Sequence, residues 1–342
     1  MIVKNEEDFL PGCLASVRDV ADEIVIVDTG SGDRTIEIAK KFGARIYKFP
    51  WDNNFSHARN KSLRYAIGEW IFILDADERL SKESRPIVKK IIDNPSKQAY
   101  SVKLYLDDNF LPIDVLRIFR RSLKLHYTGL IHEVLEPSPP SIEDSEVSLL
   151  HINPHNKKIK RKKYNRNMLI LKKQLKDDPD DVYCMAELGR YYLKKKRFKD
   201  ALKHYNQALC SFRAQNSSSE KNPADVVSYK YLIEYYGEVE KDFEKAHDLC
   251  LEGINSFPLY PWLFWYAGIL LIRMKSYENA IHYFLTCHLM GKNGKFDRTL
   301  PVDKDILGYK PLHGMGVCYF HLKNYQKARK YFQEALSLNP YH

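Results

Sequence analysis

Residues 70–80 read WIFILDADERL, a run of five apolar residues that is followed at once by Asp75, Asp77 and Glu78. A continuous apolar run of this length is typical of a strand that is buried on both faces of a parallel sheet. It predicts a strand over residues 70–74 whose carboxyl end presents two aspartates on one exposed loop. Carboxylates that lie so close need a counter-ion, and oxygen ligands suit Mg²⁺ or Mn²⁺. An isolated Asp-x-Asp also describes an acidic turn that merely leaves the sheet.

The first half of the chain alternates strand patterns with helix patterns. An apolar run is followed by a glycine-containing turn at residues 29–33, and the next helix pattern ends at Gly43, a typical C-cap. This alternation indicates βαβ units and a doubly wound sheet. Ligands of such sheets bind beyond the carboxyl ends of the strands, which is where Asp28, Asp75 and Asp77 are expected. The predicted elements are strands over residues 23–28, 45–49 and 70–74 and helices over residues 34–42 and 56–67.

The second half of the chain has no strand pattern and repeats instead. Small residues that let paired helices approach recur together with aromatic residues that fill the gap between the helices. The spacing resembles the tetratricopeptide repeat, with four units that begin near residues 182, 227, 261 and 309. No capping helix is evident after the last unit, so we expect an apolar solenoid end that a second copy of the chain could cover in a homodimer. The best-matching positions are Gly189, Tyr192, Ala201, Tyr205 and Ala208 in the first unit and Gly316, Tyr319, Ala328, Phe332 and Ala335 in the last.

The formal net charge of +10 is concentrated in residues 151–176, which hold ten Lys and Arg residues and no acid. One interpretation is a solvated helix face that joins two domains, and charge runs are usually of this kind. The other is an electropositive rim that draws in an anionic nucleotide, a lipid headgroup or an acidic partner. Neither aromatic interleaving nor a base-reading motif accompanies the run, which argues against nucleic acid as a partner.

The six cysteines form no C-x-x-C pair, and the sequence shows no signal peptide. We therefore expect reduced thiols and a cytoplasmic location. The longest apolar stretch, residues 262–272, is well short of the ~20 residues that span a bilayer, so no transmembrane segment is expected. The 342 residues are enough for two domains, each with its own core.

Four motifs follow one another near the start of the chain: MIVKNEE at residues 1–7, IVIVDTGSGDRT at 24–35, WDNNFSHARN at 51–60 and WIFILDADE at 70–78. Together they resemble the family 2 glycosyltransferases of the GT-A fold, and GLIHE at residues 129–133 extends the match. The closest resemblance is to the bacterial subgroup that fuses this domain to tetratricopeptide repeats. That subgroup includes the peptide S-glycosyltransferases that act on bacteriocins.

The resemblance implies an α/β domain followed by an all-α domain. We place a GT-A nucleotide-diphospho-sugar transferase domain at residues 1–155, a basic helical linker at 156–180 and a tetratricopeptide-repeat solenoid of about four repeats at 181–342. Residues 1–3 make a short first strand for a sheet centre. Either the true start lies upstream, or the wall on the nucleotide side is weakened.

The family implies a metal-dependent, inverting hexosyltransferase. Such an enzyme moves a sugar from a nucleotide-diphosphate donor, here expected to be a UDP-sugar, to a peptide, protein or glycan acceptor held partly by the repeats. The alternative is a tetratricopeptide-repeat protein-binding scaffold that carries an inactive glycosyltransferase-like domain. An inactive domain need not retain the whole set of acids, which favours the enzyme. Nucleotidyl transfer would need a glycine-rich phosphate loop after the first strand, and residues 4–9 hold no glycine.

The resemblance also implies roles for single residues. Asp77 is the expected metal ligand, and Glu133 is the expected base that takes the acceptor's proton as the nucleophile attacks opposite the nucleotide. Which sugar is carried and which acceptor atom reacts stay open. The implied nucleotide-binding residues are Val3, Glu6, Asp28, Arg59, Asp75 and Arg120, and the implied ligands of Mg²⁺ or Mn²⁺ are Asp75, Asp77 and His151.

Structural roles stay open for most of these residues. Arg117 and Arg120 alternate with apolar residues in LRIFR at residues 116–120, and either could neutralise the leaving diphosphate. The structural alternatives are a turn cap for Asp28, a helix charge for Glu6, a contact with Asp52 or Asp77 for Arg59, a solvent-facing strand position for Arg120, a salt bridge to Arg120 for Glu133 and a satisfied interior position for His151.

Overall fold

The structure, a computed structural model, divides the chain into two units. Unit 1 comprises Met1–Asp108 and Pro112–Gln174, and unit 2 comprises Asn109–Leu111 and Leu175–His342. The predicted domain boundary at residues 155–156 lies outside the described residues. The described residues are 1–152, 157–215 and 225–339.

The first part of unit 1 consists of three strands that alternate with three helices. These elements are β1 (Ile2–Val3), α1 (Leu10–Val17), β2 (Val25–Asp28), α2 (Thr35–Lys41), β3 (Arg45–Lys48) and α3 (Phe55–Tyr65). The strands form a parallel sheet in the order β1-β2-β3. Val3 lies opposite Asp28 in this sheet, so the carboxyl ends of β1 and β2 share one edge. Leu10, Leu14 and Ile26 are fully buried where the helices pack on the sheet.

The second part of unit 1 is built on a mixed sheet of five strands. Its elements are β4 (Trp70–Phe72), β5 (Glu78–Leu80), α4 (Ser84–Asp93), β6 (Ala99–Tyr105), β7 (Ile113–Arg120), β8 (His126–Thr128), β9 (Val134–Glu136), β10 (Glu143–His151) and all but the last turn of α5 (Lys157–Asp177). The sheet order is β4-β7-β6-β10-β5, and β8 pairs with β9 in a separate ribbon. Val88, Val102 and Val147 are fully buried in the core of this sheet.

The strand that follows the third helix does not join the parallel sheet. β4 pairs antiparallel with β7, with Trp70 opposite Arg120 and Phe72 opposite Ile118. The α/β class predicted for this half is confirmed, but the prediction of one doubly wound parallel sheet is wrong at this strand. An apolar run specifies burial and leaves the direction of the neighbouring strand open.

An apolar cavity of about 300 Å³ lies inside unit 1 and is lined by residues of β2, β4 and α1. Met1 also lines it, and the amino group of Met1 donates to the Val25 carbonyl oxygen over 2.8 Å. Burial lowers the pKa of this amine to about 6. Arg59 and Tyr127 border the cavity as well, so the cavity extends to the charged side chain of Arg59.

Beyond residue 180, unit 2 consists of helices that pack in consecutive pairs. They are α6 (Val182–Lys194), α7 (Phe198–Gln215), α8 (Val226–Glu234), α9 (Phe243–Ser256), α10 (Pro261–Arg273), α11 (Tyr277–Asn293), α12 (Lys304–Leu307), α13 (Tyr309–His321) and α14 (Tyr325–Leu338). The pairs α6–α7, α8–α9, α10–α11 and α13–α14 begin within one residue of the predicted starts. The predicted all-α class is confirmed, whereas the predicted end at residue 342 lies outside the described residues. The turns within the pairs share a lysine with a positive φ of 58–60°: Lys196, Lys241, Lys275 and Lys323.

Glycines let the helices of unit 2 approach one another closely. A methyl group placed on Gly189 would lie 2.5 Å from the ring of Tyr205, and one placed on Gly316 would lie 2.6 Å from the ring of Phe332. These pairs occupy equivalent positions in the first and the last helix pair. The small and aromatic residues that recur in the sequence are therefore the residues in contact between paired helices.

All six cysteines are free thiols, and five of them are buried. Burial raises the pKa of the Cys13 thiol to about 12, so this thiol stays protonated at neutral pH. Among the residues that the structure describes, no helix is both long enough and apolar enough to cross a membrane.

Phe284 of α11 is fully buried between Gly268 and Gly314, and a methyl group on Gly314 would lie 2.6 Å from its ring. We predict that Gly314→Val lowers the free energy of unfolding by about 1–3 kcal/mol, because the added atoms force Phe284 off its rotamer. Urea unfolding followed by circular dichroism measures the change. The double variant with Phe284→Leu should recover part of the loss. A Gly314→Val protein as stable as the wild type would contradict this packing.

Candidate functional site

The turn after β4 is closed by Glu78. The Glu78 amide donates to the Asp75 carbonyl oxygen over 3.0 Å, and Glu78 Oε2 accepts from the Asp75 amide over 2.9 Å. Glu78 is only 2% exposed, so its carboxylate holds the turn from the inside. The Asp77 carbonyl oxygen accepts from the Ile152 amide over 2.7 Å, which ties the other side of the turn to the residue after β10. The three acids that are close in sequence therefore have different surroundings.

Asp75 is held by two arginines from different elements. Arg59 of α3 donates from Nη1 and Nη2 to the two carboxylate oxygens over 2.9 and 3.2 Å. Nη2 of Arg117 on β7 lies 3.6 Å from Asp75 Oδ2. Burial raises the pKa of the Asp75 carboxyl, but Arg59 and Arg117 outweigh burial and bring the pKa well below its ordinary value. Asp75 is therefore ionised at neutral pH and fixed by a bidentate ion pair.

The same arginine joins Asp75 to Glu133. Nε of Arg59 donates to Glu133 Oε1, so one guanidinium contacts both carboxylates. The salt bridge considered for Glu133 from the sequence thus involves Arg59 rather than Arg120. Asp52, considered as a partner of Arg59, pairs with a histidine instead. About 10% of the Glu133 side chain stays exposed, so it can still be reached from outside.

Glu78 and Arg117 form a second buried ion pair. Nη2 of Arg117 donates to Glu78 Oε1 over 2.6 Å. Burial raises the pKa of the Glu78 carboxyl to about 7, while Arg117 opposes this rise and Asp75 adds to it. Two arginines and three carboxylates form one connected charge cluster, whose members are Arg59, Arg117, Asp75, Glu78 and Glu133.

Asp77 and His151 lie together at the edge of the second sheet. Pairing of β5 with β10 sets His151 opposite Glu78, and Asp77 Oδ1 lies 3.8 Å from His151 Nδ1. Asp75, the third predicted ligand, faces the two arginines instead. Within the described residues, no group of three or more His, Cys, Asp or Glu side chains is arranged to hold a metal ion. One carboxylate and one imidazole, both partly exposed, fit a divalent cation that takes its remaining ligands from phosphate oxygens and water.

The predicted nucleotide-binding residues at the edge of the parallel sheet also make internal contacts. Asp28 accepts from two backbone amides of the following turn over 3.1 and 3.2 Å, so it caps that turn. Val3 is buried, and its carbonyl oxygen accepts from the Thr29 amide over 3.0 Å. Glu6 lies in the first turn after β1, and its side chain is 16% exposed. The structure brings these three residues to one edge, where Asp28 and Val3 are already held by hydrogen bonds.

Arg120 lies away from the acidic turn. Its guanidinium carbon is 4.3 Å from the centre of the Trp70 ring at the start of β4, and it also contacts Glu69. Because β7 runs antiparallel to β4, the residue three places earlier, Arg117, lies beside the acids. The alternation in the sequence indicates a strand, but it does not set the register that separates the two arginines.

Two family models match the chain. Residues 1–133 match "Glycosyl transferase family 2", and residues 309–342 match "Tetratricopeptide repeat". The first range contains the acidic turn and ends at Glu133 of the charge cluster.

Relatives of the chain include proteins with and without a described activity. A tetratricopeptide-repeat-containing protein of Synechococcus elongatus is 32% identical over 222 residues, which are 61% of this chain and 55% of that protein. The SPbeta prophage-derived glycosyltransferase SunS of Bacillus subtilis is 29% identical over 295 residues, which are 75% of this chain and 67% of SunS. The chain spans about half to two thirds of the length of these curated relatives. A crystal structure of MamA has a TM-score of 0.41 and 18% identity, covering 56% of this chain and 96% of that one.

The raised pKa of Glu78 predicts a pH-dependent stability. In the unfolded chain Glu78 loses its proton near 4.5, whereas in the folded protein it keeps the proton until about 7. The folded state therefore loses stability as the pH rises through this window. We predict that the difference in unfolding free energy between Glu78→Gln, which cannot titrate, and the wild type moves in favour of the variant as the pH rises from 4.5 to 7, whatever its value at pH 4.5. Urea unfolding at several pH values measures this difference, with Glu136→Gln on the exposed ribbon as the control. Parallel curves of unfolding free energy against pH for Glu78→Gln and the wild type would rule out the raised pKa of Glu78.

Proposed function

We propose that this chain, which joins a family 2 glycosyltransferase domain to tetratricopeptide repeats, is an inverting hexosyltransferase. It moves a sugar from a nucleotide-diphosphate donor, a UDP-sugar in the simplest case, to a peptide, protein or glycan acceptor. The observation that carries the proposal is the Arg59 bridge, because it fixes a donor-side carboxylate, Asp75, and a candidate base, Glu133, on one guanidinium. The 29% sequence identity to the bacterial glycosyltransferase SunS supports the proposal.

We assign the base and ribose of the donor to the edge formed by Val3, Glu6 and Asp28. Ligands of open α/β sheets bind beyond the carboxyl ends of the strands, and β1 and β2 end together here. Asp28 caps its turn with three hydrogen bonds from two backbone amides, but a carboxylate has about four lone-pair sites. It therefore keeps capacity to accept a further hydrogen bond from a nucleobase N–H group.

We assign a divalent cation, Mg²⁺ or Mn²⁺, to Asp77 and His151. The 3.8 Å separation of their side chains and their partial exposure support this assignment. When bound, such a cation supplies positive charge against the donor diphosphate. Asp75 stays ionised beside this pair because Arg59 and Arg117 hold it, so it can accept a hydrogen bond from a ribose hydroxyl.

Glu133 is the proposed base. The acceptor atom forms its bond to the anomeric carbon on the face opposite the nucleotide, and the bond from that carbon to the diphosphate oxygen breaks with its electron pair. The acceptor's proton passes to Glu133 in the same step. Arg59 holds Oε1 of Glu133, which leaves Oε2 to meet the acceptor. A base held in this way keeps the orientation that the transfer requires.

The alternative is a tetratricopeptide-repeat protein-binding scaffold with an inactive glycosyltransferase-like domain. One observation favours it: the ion pairs that orient Asp75 and Glu133 also neutralise them, as a purely structural cluster would. The two proposals differ in nucleotide binding, because a scaffold needs no donor.

A homodimer through the repeats and a cytoplasmic location stay predictions. Leu336 and Leu338 of α14 are exposed, as a contact between two copies through this helix requires.

Donor binding is tested by thermal unfolding. UDP should raise the melting temperature in Mn²⁺ and much less in EDTA, because the cation at Asp77 adds to the affinity for the diphosphate. Asp77→Asn should lose the Mn²⁺-dependent part of the shift and keep the melting temperature of the free protein. Differential scanning fluorimetry measures both, and Asp8→Asn, at an exposed carboxylate, is the control. Equal shifts in Mn²⁺ and in EDTA would contradict metal-assisted binding.

The base is tested by turnover. Glu133→Gln should slow transfer by about 100-fold or more, because general-base catalysis contributes at least that factor. Its thermal shift with UDP should match that of the wild type. Mass spectrometry of donor breakdown across UDP- and GDP-sugars measures turnover, with the exposed Glu136→Gln as the control. Unchanged turnover would mean another base, or an acceptor thiol that ionises by itself.

A further inference from the structure

The basic helix α5 packs along unit 1 rather than standing free of it. Ile170 and Leu171 of this helix are buried, with 2% and 4% of their surfaces exposed. Gln174 Oε1 accepts from the Leu130 amide over 3.0 Å, and Leu130 precedes Glu133 by three residues. One face of α5 therefore lies against the part of unit 1 that carries the candidate base.

Lys163 lies on this inner face and points at the acidic edge. Its Nζ lies 3.8 Å from Glu6 Oε1, a separation too long for a direct hydrogen bond. Burial raises the pKa of the Glu6 carboxyl, Lys163 opposes the rise, and Asp77 adds to it. Lys163 is thus a cation beside the carboxylates to which we assign the donor, in a contact that is loose enough to be exchanged.

Arg166 follows three residues later on the same face. Its guanidinium carbon lies 4.9 Å from the centre of the Phe55 ring and 5.8 Å from that of Trp51. Its Nε and Nη2 donate to Asn167 Oδ1 over 3.1 and 2.9 Å. This amide oxygen is a neutral acceptor. Within the described residues Arg166 forms no ion pair; burial lowers the pKa of its guanidinium, and the charge of Glu6 opposes this from a distance. A half-buried arginine that lies over aromatic rings and contacts no carboxylate directly has a charge that an anionic ligand can neutralise.

The arginines of the charge cluster are already engaged. Arg59 pairs with Asp75 and Glu133, and Arg117 pairs with Glu78 and Asp75. A diphosphate that approaches Asp77, Asp75 and Glu6 needs additional positive charge, because its negative charge and the carboxylates repel each other at short range.

We propose that Lys163 and Arg166 of α5 form a subsite for the diphosphate of the nucleotide donor, an inference that rests on the function proposed above. Lys163 exchanges its loose contact with Glu6 for a phosphate oxygen. Arg166, over the rings of Phe55 and Trp51, offers its planar donors to the same group. The basic run then has two parts, an inner face that binds ligand and an outer face that is solvated.

The two faces of α5 supply a matched experiment. Lys163→Met and Arg166→Gln change the inner face, whereas Lys162→Met and Arg161→Gln make the same changes at exposed positions one and five residues away. Isothermal titration in Mn²⁺ measures the affinity of each variant for UDP and for uridine, and the affinity of the wild type for GDP. We expect each inner variant to bind UDP about tenfold more weakly and uridine unchanged, because uridine has no phosphate. We expect the outer variants to stay within about twofold of the wild type.

The outcomes separate the two proposals. Equal loss of UDP affinity in inner and outer variants, or an equal loss for uridine, would overturn the subsite and leave the transferase standing. A wild-type protein that binds neither UDP nor GDP would overturn the proposed function itself, and the subsite with it. Circular dichroism and the midpoint of urea unfolding confirm that each variant folds. We expect the double variant of the inner face to lose more UDP affinity than either single variant.

Discussion

A single guanidinium group connects the parts of unit 1 from which a site can be built. Arg59 comes from α3, Asp75 from the turn after β4 and Glu133 from the segment between β8 and β9. Arg117 and Glu78 extend the pairing to β7 and β5. Removal of one member would leave an uncompensated charge in an interior with little water, which is far more costly than the net gain of any single pair. The elements therefore have to keep their register, and the charges that stabilise this half of the chain also fix its acids.

Sequence periodicity was sufficient for elements whose neighbours are close along the chain. The strands β2 and β3 and the helices α2 and α3 alternate as the apolar patterns predict, and the helix pairs of unit 2 begin where small and aromatic residues recur. The pattern was insufficient for residues 70–74, because burial on both faces can be satisfied by a parallel or an antiparallel neighbour. That neighbour, β7, lies more than 40 residues later, and its register decides that Arg117 rather than Arg120 lies beside the acids.

The acids of the site were predictable as a group but not as individuals. Sequence motifs identified Asp28, Asp75 and Asp77 as residues at strand ends. Asp28 is the last residue of β2, whereas Asp75 and Asp77 lie in the turn that connects β4 to β5. Their surroundings differ, because Asp28 caps a turn, Asp75 pairs with arginines and Asp77 lies near His151. Each difference comes from a group that is distant in sequence or from backbone geometry, neither of which a short motif contains. Glu78, the third acid of the motif, holds the turn together from inside.

The basic segment shows how one charge run can have two roles. Exposed charges are screened over about 8 Å in physiological salt, so a lysine on the outer face of α5 acts weakly on a ligand inside unit 1. Lys163, at 3.8 Å from Glu6, acts well within that range. With 3.6 residues per turn, consecutive bases of a helix necessarily fall on both faces. A solvated linker and an electropositive rim are therefore compatible interpretations of the same residues, and the packing of Ile170 and Leu171 determines which bases belong to each.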